Sequence, residues 1–426
     1  MFFNKKSAAF KLIILLALCM PLFAQEVEKE LTIDDAVKLA IEGNISLKQN
    51  EITLNAAKRA STYSWNSVSP TIKGSGSFSK SDSSDFGNIS VGGSVSVGLS
   101  PSLYTSIKSA QLSYEENQIT YDAAVRSIEL SVRIAFNNLL YDKEKITLQQ
   151  SNVASAKRQY EANLSKYNQG AISKLDVLST QVTYQNAQLT LETAKATLEN
   201  DMSSFKQVLG ISQDEKLNLK GSLDDALLLK EITLENVEQN SSSIKTLEKQ
   251  IEEAKTNLLA TRFSAWGPTL SASYSYSLAT TTADTSTWNN GGTFSVGASI
   301  PLDGYLPWSQ GAQSIASQND TLSKLQLKLE DEKTTVSISV SKYLKQISQA
   351  QKSITSYQSS IDLAQQTYEM TLDAYNHGTK DLLSLQNASD NLLEAKVNLK
   401  SAENTLVVAV LNLENEIGVQ FGTLGK

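Results

Sequence analysis

The sequence predicts a mainly α protein with a membrane β portion: duplicated long α-helical hairpins and four β-strands per chain. Three features point that way. Ile146, Val153, Tyr160 and Tyr167 stand at seven-residue spacing, and Ile354, Ile361, Tyr368 and Tyr375 repeat them at one constant offset. Each row ends in the same kind of reversal, Tyr167-Asn168-Gln169-Gly170 and Tyr375-Asn376-His377-Gly378. Upstream of each row lies a serine-rich stretch whose apolar residues alternate with period two. A shared phase and a shared turn make an internal duplication, and a heptad held this long implies left-handed coiled coils.

Residues 1–24 read as a secretory leader. Lys5 and Lys6 precede an apolar run from Leu12 to Leu18, and Leu22-Phe23-Ala24 offers a cleavage point. Cys19 follows Leu16-Ala17-Leu18, a bulky approach that suits simple cleavage better than lipidation. Removing the leader takes away three lysines and no acid, so the net charge moves from −7 to −10. That balance argues against nucleic acid as a partner.

The first repeat is expected over residues 25–209. Thr32 precedes Ile33-Asp34-Asp35, a helix start with acids in its first turn. Gly43-Asn44 interrupts that helix, and a second runs to about Tyr63. A hairpin follows at 71–100: Ile72, Gly74, Gly76 and Phe78 alternate with Lys73, Ser75 and Ser77, and Val91, Val95, Val97 and Leu99 with serine and glycine. Strands of about ten residues with one apolar face are long enough to cross a bilayer at a tilt. The same period suits a small solvated hairpin; tyrosines and tryptophans near the strand ends, and the leader, favour the membrane. A long helical hairpin is expected over 102–209, then a linker at 210–233 around Gly210 and Gly221.

The second repeat, residues 234–417, follows the same order: a helix, a hairpin at 269–301 whose polar loop holds Trp288, Asn289 and Asn290, and a helical hairpin at 309–417. Residues 418–426 form a tail. The returning helices carry heptads of their own, Leu175, Val182, Leu189 and Ala196, and Leu385, Leu392, Leu399 and Leu406. At the reversals, Gly170 and Gly378 accept the left-handed conformation that ends a helix. Ser173 and Thr379 offer hydroxyls to cap the next one.

With 40% hydrophobic residues, the chain has too little apolar matter for a thick core, so helices sharing narrow seams are expected. One histidine, His377, and one cysteine supply neither a His-rich metal site nor a disulfide. No Walker loop or nucleophile elbow is present. A classical enzyme is not expected, nor a cofactor. Four strands cannot lie open in lipid, because their edges would leave backbone groups unpaired. If the hairpins are membrane strands, copies of the chain must join to close them. A secreted or surface coiled-coil adhesin would share the heptads and the leader, without needing matched serine-alternating hairpins.

Leader, paired helices, hairpin, long helical hairpin, linker and a second copy, over about 30–420, resemble the TolC outer-membrane efflux family. The run Gly170-Ala171-Ile172-Ser173-Lys174-Leu175-Asp176-Val177-Leu178 resembles that family's periplasmic tip. The resemblance implies a homotrimer with a trimeric 12-stranded barrel in the outer membrane and a coiled-coil tunnel in the periplasm. It further implies passive conduction from an inner-membrane transporter and a periplasmic adaptor protein to the exterior, for efflux or type I secretion. Carried over residue by residue, Gly170, Ala171, Ile172, Ser173, Gly378 and Thr379 would dock the adaptor. Asp176, Tyr375 and Lys380 match the family's gate latch, with lysine where arginine is often found. Ser384 and Asn387 match its entrance constriction, where the family often has aspartates; Asp381 lies one turn away.

Overall fold

The computed structural model describes residues 29–223 and 241–424. The expected leader, Cys19 and the stretch 224–240 lie outside the described residues. Strand β1 (Lys29–Leu31) leads into α1 (Ile33–Gly43) and α2 (Ile45–Thr62). Thr32 caps α1 by accepting from the Asp35 amide at 3.3 Å. Asn44 ends α1 and caps α2, accepting from the Leu47 amide at 3.1 Å. Strands β2 (Thr71–Lys80) and β3 (Gly87–Leu99) then give way to α3 (Ser102–Asn168) and α4 (Lys174–Leu209). After β4 (Leu217–Leu219), the second repeat supplies α5 (Ser242–Trp266), β5 (Thr269–Thr281), β6 (Asp284–Ser299), α6 (Gln310–Asn376) and α7 (Leu382–Glu416). The ascending helices α3 and α6 have 67 residues each, about 100 Å at 1.5 Å per residue.

The four long strands form one antiparallel sheet in the order β2-β3-β5-β6. Its register sets Ile72 opposite Val95, Val95 opposite Tyr274, and Tyr274 opposite Phe294. Directly opposed residues share a face, so one face of the sheet is an apolar band. Lys73, Ser94, Ser275 and Thr293 cross the other face in the next row. The second hairpin corrects one expectation. Trp288, Asn289 and Asn290 lie within β6, where Asn290 pairs with Leu278 and Asn289 with Ala279. Ladder bonds use the backbone, so polar side chains that look like a loop do not end the strand.

Two apolar cores sit at the middle of the helical part. In the first, Leu31, Ala36, Val132, Phe136, Phe205 and Leu219 pack together, and β1 pairs with β4 in parallel. Phe136 meets Phe205 edge-on, ring centroids 6.2 Å apart. The second gathers Ile244, Val336, Val340, Leu406, Val410 and Leu413. The C-terminal segment fastens them to each other. Phe421 packs with Val407 and Leu411 under the Arg126 guanidinium, 4.6 Å from its ring centroid. Fully buried Glu414 accepts from the Gly422 and Leu424 amides at 3.0 and 2.7 Å. Arg126 donates to the carbonyls of Glu414 and Val419.

Toward the far end only thin seams remain: Ile146, Leu191 and Ala194 with Val153 in the first hairpin. The predicted heptad of α4 does not serve this seam. Leu175, Val182 and Leu189 are exposed, while Val177, Ala187 and Leu191 are buried. The helix carries two apolar stripes, and the hairpin consumes one.

Candidate functional site

The two reversals are built from the same bonds. Gly170 and Gly378 both have φ of 73°. The Gly170 amide donates to Tyr167 O at 2.8 Å and the Ala171 amide to Lys166 O at 2.9 Å. In the second copy, Gly378 donates to Tyr375 O at 3.0 Å and Thr379 to Ala374 O at 2.9 Å. These bonds occupy carbonyls that a helix end otherwise leaves bare. A Cβ on either glycine would meet nothing within 4 Å, so both tips are open to contact. Gly170, Ala171, Ser173, Gly378 and Thr379 are exposed, and Ile172 is half-buried.

The descending helices start differently. Ser173 forms a full capping box with Asp176: its hydroxyl accepts from the Asp176 amide, and Asp176 Oδ2 accepts from the Ser173 amide at 3.2 Å. Thr379 does not cap the second helix. Its hydroxyl donates back to Ala374 O at 2.9 Å, and Asp381 is the cap, accepting from the Ser384 amide at 2.9 Å. A carboxylate at a helix N-terminus outcompetes a neutral hydroxyl for bare amides and for the helix dipole. Hydrogen bonds from Ser384 hold the Asp381 carboxyl below the usual range, with Lys380 adding to the effect. Asn387 is exposed one turn beyond Ser384.

The structure brings the two copies together at Tyr375. Its hydroxyl donates to Asn163 Oδ1 at 2.8 Å, and Lys166 Nζ lies 4.8 Å from its ring centroid. Burial chiefly raises the Tyr375 pKa, and the charge on Asp176 adds to the rise against the Asn163 bond. Asp176 therefore faces Tyr375 electrostatically while its carboxylate stays in the capping box. Lys380 is exposed, and among the described residues no ion pair joins it to Asp176. Asn163 and Lys166 were missed by sequence reasoning. Asn163 carries a usable signal: it falls three residues after Tyr160, an inward heptad position where a lone amide demands a specific partner.

Above the tips, the hairpins of the two copies meet across a polar seam. A cleft of about 310 Å³ lies among α3, α4 and α7, lined by residues such as Gln149, Asn152, Gln159 and Asn186. Gln386 donates to Thr183 across it at 2.9 Å. Among the described residues, Gln149 Oε1, Gln159 Nε2 and Asn163 Nδ2 are buried without a protein partner. Nearer the cores, Lys400 of α7 reaches Glu144 of α3 at 2.9 Å and Asn404 donates to Asn138 at 2.8 Å. Between α3 and α4, Asp142 is only 9% exposed and its carboxyl is pushed up to about 6. Burial is the main cause, followed by a hydrogen bond with Asp201 and the charge there; Lys145 opposes them. The arrangement holds polar, sparsely bonded surfaces against each other.

Comparison with known proteins agrees with this geometry. A sequence model described as outer membrane efflux protein matches residues 36–211 and 233–419. The outer membrane protein TolC of Escherichia coli (strain K12) is 23% identical over 342 residues, 76% of this chain and 69% of TolC. TolC of Salmonella enteritidis is 23% identical over 339 residues, with the same coverage. A solved structure of CusC superposes with a TM-score of 0.82 at 15% identity, over 92% of this chain and 93% of CusC. The Campylobacter jejuni CmeC outer membrane channel gives 0.76 at 18% identity, over 91% and 85%. With both copies matched along nearly their whole length, the chain belongs to the outer membrane efflux protein family.

Proposed function

We propose that three copies of this chain close into one outer-membrane duct, which passively conducts cargo from an inner-membrane transporter and its periplasmic adaptor to the exterior. The observation that carries this is a pair of unfinished edges on one protomer. The sheet ends in β2 on one side and β6 on the other, and α4 exposes Leu175, Val182 and Leu189 in heptad register. On the other hairpin, α6 exposes Ile338, Leu363 and Met370. Different surfaces that complete each other head to tail generate a ring. Three sets of four strands give the twelve of the related barrels. Lipid would lie against the apolar face of the sheet and water against the serine face.

In this duct the open tips at Gly170 to Ser173 and at Gly378-Thr379 meet the adaptor. Tyr375, held by Asn163 and under the field of Asp176, keeps the two hairpins together near the entrance, with Lys380 at the rim. Asp381, Ser384 and Asn387 line the constriction. The adaptor and the pump supply the energy, and the duct needs no cofactor.

The test is assembly. Val182→Asp with Leu189→Asp puts charges into the lateral seam and leaves the hairpin's own seam untouched. Heat-modifiable trimers in outer-membrane fractions should disappear while helical content persists. Trimers surviving both substitutions would overturn this seam, and a wild-type chain that stays monomeric in lipid with its sheet intact would overturn the ring.

A further inference from the structure

The two copies differ at the foot of the sheet. In the first, β3 ends at Leu99 and α3 begins at Ser102. In the second, β6 ends at Ser299 and α6 begins at Gln310. The interval, residues 300–309, reads Ile300-Pro301-Leu302-Asp303-Gly304-Tyr305-Leu306-Pro307-Trp308-Ser309. It folds into a knuckle around a short 3-10 turn, Asp303–Tyr305. Here Leu302, Tyr305, Leu306 and Trp308 all stand exposed, Leu302 at 75% and Trp308 at 74%.

A solvated loop would not be built this way. The Trp266 ring stacks on Tyr305 with centroids 6.0 Å apart, and its indole N–H donates to Gly304 O at 2.8 Å. Gly304 presses so close to α5 that a Cβ would sit 2.0 Å from Ala265 O. Tyr305 N donates to Leu302 O at 3.3 Å and Ser309 N to Leu306 O at 3.0 Å. Ser309 then caps α6, accepting from the Ala312 amide at 3.1 Å. The knuckle is thus clamped to α5, and its large side chains are left outside. Its other amides can be served by headgroups and water at the bilayer interface, outside the hydrocarbon that demands internal pairing. Ile300 follows β6 at the spacing of Phe294, Val296 and Ala298, so the patch begins where the apolar band of the sheet ends. Leucine with tyrosine and tryptophan is the mixture that settles at the bilayer interface, apolar body inward and polar tip among headgroups.

We infer that this knuckle is a membrane anchor, with Leu302, Leu306 and Trp308 seated in the headgroup region of the periplasmic leaflet. It would fix the height and tilt of the duct from one copy of the repeat only. The inference rests on the outer-membrane placement of the sheet, and its test separates the two.

In a Cys19→Ser background, Leu302→Cys and Trp308→Cys each carry a nitroxide on the full-length protein. Phe294→Cys on the sheet face and Asp214→Cys on the exposed turn between α4 and β4 serve as references. Trimers are reconstituted into phosphatidylethanolamine and phosphatidylglycerol vesicles, and relaxation by oxygen is compared with relaxation by a water-soluble nickel chelate. The oxygen-to-nickel ratio at 302 and 308 should fall between the Phe294 and Asp214 values. A ratio equal to that at Asp214 overturns the anchor. So does a label immobilised and shielded from both reagents, which would place another copy of the chain over the patch. An aqueous ratio at Phe294 overturns the membrane placement itself. Should the cysteine variants not assemble, the native chain is compared with Trp308→Phe in lipids brominated near the carbonyl. The substitution should remove a quenched component of tryptophan emission; unchanged quenching refutes the anchor.

Discussion

Asp142→Asn should make the protein more stable at neutral and alkaline pH. The Asp142 carboxyl lies buried between α3 and α4 beside Asp201, and it is pushed up to about 6 in the folded chain. An unfolded aspartate titrates near 3.9. The folded state therefore binds more protons between about pH 4 and pH 6, and stability falls as pH rises through that window. A shift of about two units corresponds to roughly 2.7 kcal/mol, and solvent reaching this wet seam reduces it to about 1–2 kcal/mol. Asparagine keeps a neutral hydrogen-bonding side chain at every pH. The assay is loss of the helical circular dichroism signal on heating the detergent-solubilised protein. At pH 8 the variant should unfold at a higher temperature than the wild type; at pH 4 the two should coincide. A midpoint lowered at both pH values would refute the reasoning, because it would mean that Asp142 works as an ionised acceptor.

Three further outcomes are expected. Gly170→Val with Gly378→Val forces β-branched residues into φ near +73°, at about 1–2 kcal/mol each; export should be lost in a cell efflux assay while trimers persist. Asp176→Ala with Tyr375→Phe should raise single-channel conductance in planar bilayers, since the tyrosine change removes a hydrogen bond worth about 1 kcal/mol; Ser384→Asp should add block by divalent cations. Glu414→Ala strips the Gly422 amide and the buried Leu424 amide of a charged acceptor, and should lower stability in urea titrations by about 2 kcal/mol.

What was legible in the sequence was whatever depends on local spacing. The heptads of Ile146 to Tyr167 and Ile354 to Tyr375 marked the ascending helices, and Gly170 and Gly378 marked their ends, because a positive φ is a demand that one residue type meets. The serine alternation marked the sheet, because period two puts every second residue on one face. Competition between nearby groups was not legible. Thr379 and Asp381 both offer a cap, and only the geometry of the turn shows that the carboxylate takes it. Trp288 to Asn290 look like a loop, because ladder bonding ignores the side chain. The direction of the Leu175, Val182 and Leu189 stripe depends on neighbours far away in the sequence. So does the partner of Tyr375: Asn163 precedes it by 212 positions.

The fastening of the C-terminal segment bears on the order of biogenesis. A secreted chain leaves its translocon N-terminus first, so α3 is available long before residues 414–424 emerge. Arg126 has no Glu414 or Val419 carbonyl to hold until then, and the Phe421 ring arrives with them. The join between the two cores therefore forms late: it waits until α7 and the segment after it have followed α3 out. Newly exported Glu414→Ala chains should lack that late join and show prolonged protease sensitivity in the periplasm, and a wild-type rate of maturation would rule this order out.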